Sequence, residues 1–251
     1  MAKYTGIISL HHNGRGVWDL DTFKGCSHAV DGGCYGICYA NRLARARGYD
    51  FSTVVKRDFT NKTHFIYVAS KLKQAPFIRI GVMCDPSYDW EHTINIANRI
   101  KSFNRNIVII TKHWNELNNE QLSKLKGFTI NTSVSALDDS LHRNKMLLWY
   151  NKLKPYCRSV LRVNTADFNS EDLKNIQNNL LNNDLVIDNI LRFPLNHPLV
   201  NQKIINVSRY MFLGSYIYAS KHNKNVFFGF CVDCPDQCGV PSFQKKIIDW
   251  I

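Results

Sequence analysis

Apolar, β-branched runs alternate with amphipathic segments along most of this chain. The apolar runs predict six strands, at Tyr4 to Leu10, Phe77 to Met83, Asn106 to Lys112, Phe128 to Ser135, Ser159 to Asn164 and Leu185 to Arg192. The amphipathic segments predict helices at Tyr39 to Arg47, Phe65 to Leu72, Trp90 to Phe103, Glu116 to Leu125, His142 to Leu153 and Ser170 to Leu181. This rhythm is typical of βα units around a mostly parallel sheet, so the predicted fold class is α/β.

About six βα units predict a partial (β/α)6 TIM-like barrel over residues 1–195, with a C-terminal cysteine-rich extension, residues 196–251, packed on it. By analogy with the complete eight-fold barrel, ligands should bind where the strands end. Polar residues at the predicted strand ends are therefore site candidates: Asp85, Lys112, Ser133, Ser135, Arg162, Asn164 and Arg192.

The composition of the 251 residues narrows the class of protein. No stretch approaches the roughly 20 apolar residues that a membrane span needs, and the N-terminal residues lack the layout of a secretory signal. We therefore expect a cytoplasmic protein with no membrane partner. In that compartment, eight cysteines favour reduced thiols used as ligands over a disulfide framework.

The net charge of the chain indicates which class of partner it binds. Lys and Arg number 32 against 20 Asp and Glu, a formal net charge of +12. Such a field attracts polyanions, so we expect an anionic substrate such as a nucleotide or a nucleic acid. A basic, solvated surface without a function is the competing interpretation.

Three cysteines, Cys26, Cys34 and Cys38, share one glycine-rich loop with aromatic residues. Three thiolates can hold three corners of a cubane [4Fe-4S] cluster and leave the fourth iron open to another ligand. The alternative interpretation is a structural zinc site of three cysteines with His28, because zinc accepts that ligand set. A two-zinc hydrolase is disfavoured, since the chain has no His-rich, carboxylate-bearing motif.

The loop resembles that of the radical S-adenosylmethionine (SAM) superfamily, whose cluster cysteines follow the first strand of a partial barrel. The sequence from Gly25-Cys26 through Gly33-Cys34 to Cys38-Tyr39-Ala40 looks most like the loop of a poorly characterised, phage-associated branch of that superfamily. The spacing here is Cys-x7-Cys-x3-Cys, whereas the family usually has Cys-x3-Cys-x2-Cys. The resemblance covers roughly residues 4 to 192.

The resemblance implies a function and a set of site residues. It implies a [4Fe-4S] cluster that cleaves SAM reductively to a 5′-deoxyadenosyl radical, which takes hydrogen from the substrate, with a small flavodoxin- or ferredoxin-type electron donor. It also implies that Asp85 holds the SAM amine, while the remaining contacts to adenine, ribose and carboxylate come from Tyr35, Ile37, Tyr39, Ser133, Ser135, Arg162 and Asn164.

Three more cysteines, Cys231, Cys234 and Cys238, form a second group at x2 and x3 spacing. Thiolates this close can converge on a second iron-sulfur cluster or on zinc, with His222 or Cys84 as a conceivable fourth ligand. A non-catalytic, zinc-stapled nucleic-acid-binding protein is the alternative function, since this group, the positive charge and the aromatic residues from Arg209 to Tyr218 would suit it.

Overall fold

The computed structural model of the protein describes residues 9–12, 16–29, 33–59, 66–67, 70, 72, 75–104, 106–212, 214–220, 227, 231 and 233–241. The helices of this part are α1 (Tyr39–Ala46), α2 (Trp90–Lys101), α3 (Asn119–Ser123), α4 (Ser140–Leu153), α5 (Glu171–Leu181) and α6 (Pro198–Asn201). The strands are β1 (Ser9–His12), β2 (Trp18–Asp21), β3 (Phe23–Lys24), β4 (Val55–Lys56), β5 (Ile78–Ile80), β6 (Ile107–Thr111), β7 (Thr129–Val134), β8 (Arg158–Thr165), β9 (Asp167–Phe168), β10 (Val186–Ile190), β11 (Ile205–Phe212) and β12 (Ser215–Ser220).

The main sheet has seven strands in the order β1-β2-β5-β6-β7-β8-β10. Six of them, from β2 to β10, are parallel, and β1 pairs antiparallel with β2 at one edge. The predicted α/β class is confirmed. Within the described residues β1 and β10 are the outer strands of the sheet, and no strand pair closes it into a barrel.

The strand order simply follows the chain, without the reversal of a doubly wound sheet. Because βαβ crossovers are right-handed, this order places the connecting helices on one face, here called the helix face. Strand residues such as Ile80, Ile109 and Val163 pack there with Trp90 and Trp149 of the helices in the largest apolar cluster. The other side of the sheet, here called the opposite face, is left for loops and ligands.

The start of the sheet differs from the prediction. The predicted first strand, Tyr4 to Leu10, lies mostly outside the described residues, and Ser9–His12 is an antiparallel edge strand. The first parallel strand is Trp18–Asp21, which sequence reasoning missed. Its two aspartates explain the miss, because aspartate is depleted in strands. Asp19 and Asp21 are nonetheless buried.

The helix starts follow local side-chain chemistry. Asp89, Asn118 and Asp139 cap α2, α3 and α4, and each side chain accepts a backbone N–H bond from the first turn. Ser170 caps α5 in the same way, at the residue where the sequence predicted that this helix begins. The predicted helix Phe65 to Leu72 lies largely outside the described residues, but positions 66, 67, 70 and 72 are helical.

The C-terminal extension contacts the main sheet in two ways. Val240 packs on the opposite face with Val17, Phe77 and Val108, and the partly buried Cys231 and Cys238 join that cluster. Strands β11 and β12 form a hairpin that pairs with β9 through β11. Sequence reasoning noted the aromatic residues of this segment but predicted no strands there. In the described part of the chain, helices are too short and polar to cross a bilayer.

Gly239 sets how closely the extension approaches the sheet. Its φ is +79°, and a Cβ there would lie 2.6 Å from Cγ2 of Val160 on β8. Gly48 has a similar φ of +70° but no atom within 4 Å of its would-be Cβ. Substitution at Gly48 therefore measures backbone strain alone, while substitution at Gly239 adds a steric clash.

We predict that Gly48→Ala lowers the free energy of unfolding by about 1–2 kcal/mol, the cost of a left-handed L-residue. Gly239→Ala should cost about 1–3 kcal/mol more, because it also overpacks the contact with Val160. Urea denaturation of both variants is the measurement. An equal decrease in the free energy of unfolding for both variants would mean that Gly239 makes no close contact with β8.

Candidate functional site

The first cysteine loop follows β3, the two-residue strand that comes just after β2, the first parallel strand. Cys26 donates its backbone N–H to the carbonyl of Phe51 at 2.7 Å. The preceding Gly25 has a φ of +87°, and a Cβ there would stand 2.0 Å from the carbonyl oxygen of Thr53. Only glycine fits this position, so the residue before Cys26 fixes the path of the loop.

The other two cysteines bracket a short 3-10 turn. Cys34 opens the turn Cys34–Gly36, and Cys38 is the N-cap of α1. A Cβ on Gly33 would lie 2.5 Å from Cβ of Cys38, so this glycine lets the chain pass close to the third cysteine. The loop thus returns on itself and brings cysteines twelve residues apart in sequence to one region.

The three thiols influence one another electrostatically. Burial raises the pKa of Cys26, and the neighbouring Asp85 and Cys38 raise it further, while a hydrogen bond from the Tyr88 hydroxyl, 3.4 Å from the sulfur, lowers it. Burial raises the pKa of Cys34 to about 11, with Cys38 and Cys26 adding to the shift and Lys112 opposing it. Across the described residues, no three His, Cys, Asp or Glu side chains form a group that could hold a metal ion.

A row of histidines runs beside the loop. The His28 ring stacks on His113 with centroids 3.5 Å apart, and His142 lies 5.4 Å beyond. Nε2 of His113 is 3.5 Å from the Cys34 sulfur. Burial lowers the pKa of His113 to about 4, so this imidazole is neutral at pH 7. Sequence reasoning considered His28 but missed His113, whose place two residues after β6 is the signal that could have found it.

A buried ion pair ties the cysteine loop to the edge of the sheet. Nζ of Lys112, which follows β6, lies 2.7 Å from Oδ1 of Asp138, which follows β7. The Tyr35 hydroxyl, between Cys34 and Cys38 in sequence, donates to the same oxygen at 2.7 Å and accepts from Lys112 at 2.6 Å. His197 also contacts the Tyr35 carbonyl, at 2.9 Å. Tyr35 therefore anchors the loop, and its predicted role of covering adenine remains a prediction.

Asp85 holds the ends of β5 and β6 together. Its two carboxylate oxygens accept four bonds, from the backbone N–H groups of Ser87, Lys112 and His113 at 2.7 to 3.0 Å and from the Thr111 hydroxyl at 2.7 Å. The side chain is buried. These bonds give Asp85 a structural role in the turn after β5, and its predicted contact to a SAM amine remains a prediction.

The remaining predicted contacts lie on neighbouring elements. Tyr39 donates its hydroxyl to the Val82 carbonyl at 2.6 Å while the residue is 49% exposed. Ile37 packs against the apolar cluster that contains Phe168 and Phe193. Ser135 donates its hydroxyl to the carbonyl of Asn164 at 2.8 Å, which links β7 to β8.

A polar patch lies on the opposite face of β7, β8 and β10. Ser133 and Arg162 are register partners, and Arg162 donates to Oδ1 of Asn189 at 2.6 Å. Asn189 in turn donates to Asn164 at 2.7 Å. Asn131 is 0% exposed, and among the described residues neither its amide nitrogen nor its amide oxygen has a partner. Buried amides are normally satisfied, so this patch is the part of the sheet best suited to a polar ligand.

The second cysteine group lies against the same face of the sheet. Its chain turns tightly, with the N–H of Cys234 bonded to the carbonyl of Cys231 and that of Gln237 bonded to the carbonyl of Cys234. Cys238 and Cys231 help to raise the pKa of Arg79 on β5, although burial opposes that shift and the ion pair with Asp19 contributes more. Of the conceivable fourth ligands, His222 lies outside the described residues, and Cys84 contacts Asp21 instead, at 3.6 Å.

Comparison with known proteins adds no identity to this geometry. No family model matches the chain, and neither the curated proteins nor the solved structures gave a match. The site is therefore interpreted from its own residues.

We predict that Asp85→Ala lowers the free energy of unfolding by about 3–5 kcal/mol, because the substitution removes the acceptor of several buried donors. The matched control is Asp184→Ala, since the Asp184 side chain is 89% exposed and makes only a surface ion pair with Lys154. Thermal and urea unfolding without any ligand are the measurements. A loss no larger than that of the control would contradict the structural role.

Proposed function

We propose that this protein is a radical SAM enzyme built on a partial (β/α)6 barrel. The observation that carries the proposal is the position of Cys26, Cys34 and Cys38: they share one loop that follows β2, the first parallel strand, and the short strand β3, in a sheet whose six parallel strands are arranged in chain order. The carboxyl ends of parallel strands are where such sheets bind ligands. The donor set suits a [4Fe-4S] cluster with one open iron.

The three cysteines would hold the cluster. When bound, a [4Fe-4S] cluster supplies the electron that cleaves SAM to methionine and a 5′-deoxyadenosyl radical, which abstracts hydrogen from the substrate. Because burial raises the pKa of Cys26 and Cys34, ligation there would release protons. The positive charge of Lys112 opposes the rise in the pKa of Cys34 and so favours its thiolate form. The hydrogen bond of Tyr35 to the Lys112–Asp138 ion pair holds the loop against the edge of the sheet.

The SAM contacts follow from the polar patch and the loop. Arg162 is the residue best suited to the SAM carboxylate, because it donates to the neutral Asn189, and the equally neutral Asn164 and Ser133 lie beside it. The half-exposed Tyr39 ring suits a cover for adenine, with Tyr35 and Ile37 as the other candidates. Ser135 and Asp85 complete the proposed set, with Asp85 reaching the amine. The protein's task is to hold SAM and substrate in place and to exclude water.

The partners follow from charge and compartment. The net charge of +12 favours an anionic substrate, a nucleotide or a nucleic acid. We assign the reducing electron to a small flavodoxin- or ferredoxin-type donor. The cytoplasm is the compartment in which eight free thiols stay reduced.

We predict that anaerobically reconstituted protein forms 5′-deoxyadenosine from SAM under reduction, and that replacing Cys26, Cys34 and Cys38 together with alanine abolishes this product. The matched control is Cys157→Ala, because Cys157 stands apart from both cysteine groups and contacts the Leu153 carbonyl. Iron content and 5′-deoxyadenosine are measured together. Product formation by the triple variant would overturn the proposal.

We propose that Cys231, Cys234 and Cys238 hold a second metal, as an iron-sulfur cluster or as zinc. We predict that replacing these three with alanine lowers the bound metal and the stability of the extension on the opposite face, while SAM binding stays largely intact. Metal analysis and calorimetric titration with SAM are the measurements. A metal content equal to that of the unaltered protein would show that these thiols bind nothing.

A zinc-stapled, non-catalytic nucleic-acid-binding protein is the second candidate. The contact of His113 with Cys34 favours it, because Cys26, Cys34, Cys38 and His113 would make a Cys3His zinc set. The two candidates differ in colour and metal. Anaerobic protein that is brown and contains iron supports the enzyme, while colourless protein with zinc supports the binding module.

A further inference from the structure

The β11–β12 hairpin extends beyond the rest of its sheet. β11 pairs with β9 only through Ile205 and Asn206, so from Val207 onwards the described hairpin is a two-stranded ribbon. One face of this ribbon packs on the main sheet, where Tyr210 and Ala219 contact Ile190 of β10. Two-stranded ribbons are marginally stable alone, so the free face is the part that can gain from a partner.

The free face is exposed and aromatic. Arg209 faces Tyr218, and Met211 faces Tyr216, as register partners across the two strands. Side chains of register partners, and those two residues along, share a face. Met211 is 59% exposed, Tyr216 58% and Tyr218 37%. The Arg209 guanidinium lies 3.5 Å from the centre of the Tyr216 ring, so a cation and an aromatic ring are already paired on this face.

The sequence segment that contains this ribbon carries charge of one sign. From residue 189 to residue 232 the sequence contains no Asp or Glu, and it contains five basic residues: Arg192, Lys203, Arg209, Lys221 and Lys224. The positive charge of this stretch is complementary to a phosphate backbone, whereas a protein partner ordinarily carries charges of both signs. Aromatic rings with a guanidinium are also what proteins use to stack bases.

We propose that the free face formed by Arg209, Met211, Tyr216 and Tyr218 binds single-stranded nucleic acid, with bases stacking on the two tyrosines and Arg209 meeting phosphate. This deepens the proposed function by naming its substrate class as nucleic acid. The interaction itself needs neither a cluster nor SAM. Separate measurements therefore test the two proposals. Titration with a labelled strand tests this one, and formation of 5′-deoxyadenosine tests the cysteine assignment.

The test is titration of a fluorescent 20-nucleotide thymidine strand with the full chain over a salt series. Tyr216→Leu with Tyr218→Leu keeps apolar area but removes the ring faces, so affinity should fall about tenfold or more at every salt concentration, with an unchanged salt slope. Tyr216→Phe with Tyr218→Phe keeps the rings and should bind nearly as the unaltered protein does. Arg209→Gln should reduce the log-log salt slope by about 0.7.

The controls lie on α4 and just after it, away from the ribbon in sequence. Tyr156→Leu removes a tyrosine that is likewise 37% exposed, and Lys152→Gln removes a cation that stacks on Trp149 at 4.5 Å. Neither control should alter binding, and melting curves confirm that each variant is folded.

Three results would overturn the proposal. The first is no binding of the strand at low salt. The second is equal binding by the leucine and phenylalanine pairs, which would place the attraction elsewhere on the basic surface. The third is self-association of the chain that the leucine pair abolishes, without binding of the strand, because the ribbon would then be an interface between copies.

Discussion

The buried ion pair between Lys112 and Asp138 connects the cysteine loop to the sheet. Its two residues follow adjacent strands, and both contact the Tyr35 hydroxyl inside the loop. Removing one partner of a buried pair leaves the other charge buried without a counterion. This typically lowers the free energy of unfolding by about 3–5 kcal/mol. The positive charge of Lys112 also opposes the rise in the pKa of Cys34 that burial causes. Loop position and thiol chemistry therefore depend on the same contact.

The two faces of the sheet carry different kinds of residues. The helix face is filled by aliphatic residues and by a stack of Trp114 on Trp149, with ring centroids 5.1 Å apart. The opposite face carries the Arg79–Asp19 ion pair, the Arg162–Asn189–Asn164 network and the second cysteine group. A sheet wound in one direction makes this division possible, because its helices leave one face uncovered.

The sequence predicted most of the fold and a smaller part of the site. Strands with β-branched runs, such as Ile107–Thr111, and helices with N-caps, such as the one after Ser170, were found because their signals are local. Trp18–Asp21 was missed because Asp19 and Asp21 are stabilised by distant partners, Arg79 and the backbone N–H groups of Val82 and Met83.

The contacts of the site were harder to predict for the same reason. The cysteines and strand-end residues were identified from spacing, but Asp138 and His113 depend on three-dimensional proximity across loops that no periodicity reports. The bonds of Asp85 to Thr111, Lys112 and His113 likewise join segments more than 25 residues apart.

The chain-ordered sheet also implies a sequence of assembly on the ribosome. Each strand of the main sheet pairs with the main-sheet strand made just before it, so the sheet can grow as the chain emerges. The segment around Gly239 and Val240 is synthesised after all the strands of the sheet, yet it packs on Val17 and Phe77, which precede β2 and β5. The first cysteine loop is therefore translated long before the opposite face is covered, which leaves an interval in which that face of the nascent sheet is open to solvent.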